Sequence, residues 1–131
     1  MRLLVAYDGS RAAQRALEHA AGLAGRGATV AVVNVIPAQS LSSRLETVSD
    51  AQRDHQRQLL RQASMLLAAR KIEIKTVAAV GDPTTEIRTA AEKDGADIVV
   101  VGRGTMRHRL IHGSVSTRLA RRAPCDVLII H

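Results

Sequence analysis

Phenylalanine and tryptophan are missing from this 131-residue sequence, and Tyr7 is its one aromatic residue. Proteins that bind single strands or RNA stack bases on exposed rings, and this chain has almost nothing to stack on. That bears on the charge. Lys and Arg number 19 against 12 Asp and Glu, a formal net charge of +7 that by itself invites a polyanion partner. Most of the cations are Arg, and Arg11, Arg15, Arg53, Arg57, Arg61, Arg70, Arg118, Arg121 and Arg122 recur at spacings that suit solvated helix faces. Nucleic acid is therefore a minor expectation.

Cysteine is almost absent as well. Cys125 alone forms no internal disulfide, so the fold does not depend on an oxidising compartment, and the residue reads as a small buried one. No apolar run reaches 18 residues, and the run from Leu3 to Tyr7 meets Asp8 at once. Neither a membrane span nor a secretory leader is expected, and the expected location is the cytoplasm. Other missing parts exclude particular nucleotide folds. A Walker loop needs Lys directly before the Ser or Thr that opens its helix, and His112-Gly113-Ser114 has none. A dinucleotide fingerprint needs three spaced glycines after the first strand, where this chain has Gly9 alone. A phosphoacceptor reading of Asp8 finds no acidic pair beside it, so helix capping is at least an equal reading.

What is present is alternation. With 46% hydrophobic residues the chain suits one domain over residues 1–131. Leu3-Leu4-Val5-Ala6-Tyr7 reads as a buried strand, stopped by Asp8-Gly9-Ser10, where Asp8 or Ser10 can cap a helix. Residues 12–23 and the alanine after them place Ala13, Ala16, Leu17, Ala20, Ala21 and Ala24 on one helical stripe, ended by Gly25 and Gly27. A second buried strand spans residues 28–36, with Pro37 as its stop. Residues 38–49 read as a loop. A longer helix from Ser49 or Asp50 to Arg70 or Lys71 turns Leu59, Leu60, Ala63, Leu66 and Leu67 inward. Residues 72–80 alternate as an edge or half-wet strand. Asp82 or Thr84 then caps a helix running to Asp94-Gly95. Residues 98–101 are the fourth strand, a helix from Gly113 carries Val115, Leu119 and Arg122, and residues 126–130 form the last strand.

Strict strand-helix alternation with apolar central strands predicts a doubly wound five-stranded parallel sheet with helices on both faces, and if the first and fourth strands are adjacent their carboxyl-end turns meet in one crevice. Ligands in such sheets bind beyond the carboxyl ends of the strands, where the strand order reverses. Two loops fall there: Asp8-Gly9-Ser10, and the stretch from Gly102 to Ser116. The second offers glycines, backbone N–H groups, the hydroxyls of Ser114 and Ser116, and Arg103, Arg107 and Arg109, which together suit a phosphate. His108 and His112 stand four apart but lack a third metal ligand nearby. No nucleophile with an adjacent base is evident, so an enzyme is not expected.

Five segments in order carry a resemblance to the universal stress protein family over essentially the whole length. They are Val5-Ala6-Tyr7-Asp8-Gly9-Ser10, Val80-Gly81-Asp82-Pro83, residues 96–102 (ADIVVVG), Gly113-Ser114-Val115-Ser116, and residues 123–129 (APCDVLI). The resemblance implies strand order 3-2-1-4-5 and an adenine nucleotide, ATP or else ADP or AMP, with Mg²⁺ entering on the phosphates. It implies Ala6, Tyr7, Asp8 and Val35 at the adenine end. Gly102, Gly104, Gly113, Ser114, Val115 and Ser116 would hold ribose and phosphates, with Arg103 adding charge. It also implies a homodimer through the C-terminal edge strand. ATP-binding members space their glycines by two residues and then nine before Gly-Ser or Gly-Thr. Here Arg103 alone separates Gly102 from Gly104, and eight residues separate Gly104 from Gly113. Another branch lacks the motif, so a nucleotide-free dimeric interaction protein is the second expectation.

Overall fold

A computed structural model describes residues 1–38, 48–104 and 115–131. The elements alternate as β1 (Arg2–Ala6), α1 (Arg11–Ala24), β2 (Thr29–Pro37), α2 (Asp50–Ala68), β3 (Ile74–Gly81), α3 (Pro83–Asp94), β4 (Ile98–Gly102), α4 (Val115–Arg122) and β5 (Asp126–Ile130). The strands form one sheet in the order β3-β2-β1-β4-β5, every pair parallel. The alternation and the order agree with expectation, and no helix among the described residues is long and apolar enough to cross a membrane.

The pleat sorts β1 onto two cores. Leu3, Val5 and Tyr7 point to one face and pack with Ala13, Ala16 and Leu17 of α1 and Leu60, Ala63 and Leu67 of α2. Leu4 and Ala6 point to the other, with Ile87 and Ala91 of α3 and Val115 and Leu119 of α4. Each leucine, isoleucine or valine side chain so withdrawn from water contributes about 1.5–3 kcal/mol, which is why the central strands are almost wholly apolar.

Several boundaries and burials differ from the sequence reading. Pro37 ends β2 as expected but as its last paired residue: it lies opposite Gly81, and the N–H of Ala38 donates to the Gly81 carbonyl at 3.1 Å. Proline at a strand terminus gives up only its own donor. β3 starts at Ile74 rather than residue 72, because the N–H groups of Lys71 and Ile72 still bond back to Ala68 and Leu67, with Lys71 at φ 60°. The inward stripe of α2 is Gln56, Leu60, Ala63 and Leu67, so Leu59 is only half-buried and Leu66 is 46% exposed. Arg122 is exposed and Cys125 only partly buried, packed against the second core.

Caps follow side-chain chemistry. Ser49 accepts from Gln52 N–H while the Gln52 side chain accepts from Ser49 N–H, a capping box. Of the two expected caps for α3, Asp82 is the one, accepting from the N–H of Thr85. Gly95, at φ 66°, closes the same helix.

Candidate functional site

The carboxyl edge of the sheet is stepped. β1 pairs with β2 only as far as Ala6 opposite Val33, whereas β2 continues to Pro37 beside β3. Four further residues at strand rise lift β2 and β3 roughly 13 Å above the end of β1. β4 stops low as well, since Val100 lies level with Val5 and Gly102 is its last residue. Among the described residues this leaves a notch over the ends of β1 and β4, where the strand order reverses, with the projecting end of β2 as its wall.

Polar side chains hold the wall in place. Asn34, 5% exposed, donates through Nδ2 to the Tyr7 carbonyl at 2.8 Å, tying β2 to the end of β1. Gln56 of α2, 4% exposed, donates through Nε2 to the carbonyls of Asn34 and Ala79, both at 2.9 Å. Sequence reasoning did not single out either residue. The available signal was a polar residue inside an otherwise apolar strand and one on the buried phase of a helix, each of which needs a partner.

The floor begins at β1. Tyr7 N–H donates to the Val33 carbonyl, and the Tyr7 ring turns away from the notch into the α1–α2 core, its hydroxyl 2.6 Å from Gln62 Oε1. Only the backbone of Tyr7 is left on the notch side. Asp8 accepts from Ser10 N–H at 2.9 Å, and Ser10 caps α1 by accepting from Ala13 N–H. Gly9, at φ 82°, makes the turn possible, and a Cβ there would lie 2.7 Å from Leu59 Cδ2. Ala6 and Val35 are buried in the same core as Val101 and Val115, so the apolar side of the notch is continuous with that core.

Gly102 is buried opposite Ile130, and Gly104 turns at φ 81°. Arg103 N–H donates to the Ile130 carbonyl, and its guanidinium lies 3.2 Å from His131 Nδ1, past the end of β5. Val115 and Ser116, both buried, form the first turn of α4. Arg118 approaches Asp82 at 4.0 Å, which places that turn beside the start of α3. The first turns of α3 and α4, each at the positive end of a helix, thus lie side by side at this edge. The structure brings Ala6, Asp8, Val35, Gly102, Val115 and Ser116 to this edge. Gly113, Ser114, Arg107, Arg109, His108 and His112 lie outside the described residues. No group of three His, Cys, Asp or Glu suited to a metal occurs among the described residues.

A parallel sheet wound on both faces, with a walled notch at its order reversal and helix N-termini along the same edge, defines an α/β protein of the class that takes ligands at that edge. Comparison with known proteins makes the assignment specific: the chain belongs to the universal stress protein family, whose model matches residues 1–131. A Staphylococcus aureus (strain USA300) relative described as a universal stress protein is 35% identical over 141 residues, covering 98% of this chain and 82% of its own. Among solved structures, an Archaeoglobus fulgidus universal stress protein in complex with dAMP aligns at TM-score 0.80 and 26% identity, over 100% of this chain and 98% of that one. A universal stress protein in complex with cAMP aligns at TM-score 0.79 and 26% identity, over 100% and 97%.

Proposed function

We propose that this protein binds an adenine nucleotide in the notch over β1 and β4, and acts in the stress response through nucleotide-dependent choice of partner. The reading carries no catalytic step. The observation behind it is the stepped carboxyl edge with the first turn of α4 beside it, which sets an apolar slot for a base next to the positive end of a helix. Support also comes from the dAMP and cAMP held by the two similar structures. Ala6, Asp8 and Val35 would meet the base, and Gly102, Gly104, Val115 and Ser116 the sugar and first phosphate. ATP would add phosphates reaching toward Gly113 and Ser114, with Mg²⁺ arriving on them. A cytoplasmic location and a homodimer complete the reading.

Calorimetric titration with AMP, ADP and ATP, with and without Mg²⁺, tests it. The expected result is saturable heat from all three and a rise in Tm, because a ligand that binds only the folded chain stabilises it by mass action. A second reading, a nucleotide-free interaction protein, is favoured by the Arg103 guanidinium lying against His131, where it is occupied without any phosphate. Absence of both heat and a Tm shift across the series selects that reading.

A further inference from the structure

Two of the four large apolar side chains left exposed among the described residues are neighbours on α2: Met65, 65% exposed, and Leu66, 46% exposed. Leu66 stands at the rim of a hollow of about 330 Å³ between α1 and α2. Buried Leu17 and Leu67 give it an apolar lining, with Glu18 on the α1 side and Gln62 and Arg70 on the α2 side. The Tyr7 hydroxyl donates to Gln62 Oε1, which fixes part of that rim from within the core. Spacing of four along the helix sets Leu66 next to Gln62 and to Arg70, which lies in the turn that closes α2. The adjacent row is Arg53, Arg57, Arg61 and Met65. Arg57 pairs with Asp54, but no ion pair among the described residues involves Arg53, Arg61 or Arg70, so the row leaves like charges to repel one another beside an exposed apolar pair.

We propose that this face receives an acidic amphipathic segment of a partner protein, which seats an apolar side chain in the hollow against Leu66 and sets carboxylates on Arg61 and Arg70. Charge selects the occupant. A chain of net charge +7 draws an acidic partner from a distance, and guanidiniums beside an apolar pocket fix its register on arrival. Glu18 on the opposite rim keeps the partner's carboxylates to the α2 side. A second copy of this chain is the poorer fit, because a twofold contact would bring one basic face against another. A bilayer surface is poorer too: it is flat, so the hollow stays unfilled, and its anionic headgroups would meet Glu18. The proposal stands apart from the nucleotide reading, since its residues belong to α1, α2 and the turn after α2.

The test is fluorescence anisotropy with a labelled synthetic helical peptide that carries leucines on one stripe and glutamates flanking it, and with its twin bearing lysines for the glutamates. The acidic peptide should bind saturably, more weakly as salt rises, and its twin about ten-fold more weakly or less still. Leu66→Ser, which changes no charge, should lower affinity about ten-fold with circular dichroism unchanged, and Arg61→Gln with Arg70→Gln about five-fold. Arg121→Gln with Arg122→Gln removes the same charge from exposed positions on α4 and should leave affinity as it is. An equal loss in that pair overturns the placement on α2, because attraction would then follow net charge alone. Failure of the acidic peptide to bind, or wild-type affinity in Leu66→Ser, overturns the proposal. So does a sedimenting mass that halves in Leu66→Ser, which makes the occupant a second copy, and so does binding of phosphatidylserine vesicles through Leu66 when the peptide does not bind.

Discussion

Tyr7 joins two roles at one residue, ending the central strand with its backbone and filling the α1–α2 core with its ring. Burial pushes the phenol above its ordinary value of 10.0, and burial likewise raises the Cys125 thiol above 9.0. In both cases the folded chain keeps a proton that the unfolded chain releases first. Stability from each group is therefore full below its unfolded value and is lost as pH climbs through the folded one. The urea midpoint is expected to fall between pH 8 and pH 11. Cys125→Ala should remove the part of that slope beginning near 9, and Tyr7→Phe the part beginning near 10. A wild-type midpoint that stays level to pH 11 would contradict this. Sequence reading placed Tyr7 at the base end by resemblance; the direction of its ring depends on the pleat of β1 and on where Gln62 lies, 55 residues away.

At the scale of elements, the step at the carboxyl edge depends on α2 being fastened to the strands that project. Gln56 supplies that fastening by donating to one carbonyl on β2 and one on β3. Gln56→Leu keeps the helix but leaves both carbonyls without this donor. It should cost about 1–3 kcal/mol in denaturant unfolding and weaken AMP binding in the same protein. Stability and affinity both equal to wild type would show that the wall stands without Gln56. The stripe expected for α2 was read from leucines, so Gln56 went unnoticed and Leu66 was placed inside. Hydropathy ranks leucine above glutamine at any single position. Which residue faces the sheet is decided by the helix phase, and here that phase places the donor of Gln56 within reach of two carbonyls.

For the whole molecule, the two edges of the sheet differ. β3 exposes Lys75, Thr76 and Ala78, and a charged edge resists pairing with another sheet. β5 exposes Leu128 at 37%, above a surface hollow that it lines with Leu23, His19 and Arg26. A homodimer through β5 is the arrangement proposed. Sedimentation at micromolar concentration should give twice the chain mass, and Leu128→Lys should shift it to monomer with unchanged circular dichroism. A wild-type monomer under those conditions overturns the proposal.

The order of strands and helices and the parallel sheet covered on both faces were determined by the sequence alone, while the meeting of the first and fourth strands was implied only through the family resemblance. Apolar runs, turn residues and caps act within a few positions of themselves, so a linear reading captures them. The family was legible too, since five short motifs in one order rarely coincide by chance. Tertiary structure alone decided that β2 outruns β1, that Asn34 and Gln56 brace the step, that Arg103 rests against His131, and that Thr84 keeps a buried hydroxyl without a partner. Each of these is a hydrogen bond made, or left unmade, between groups distant in the chain, and no local pattern encodes which distant donor meets which acceptor.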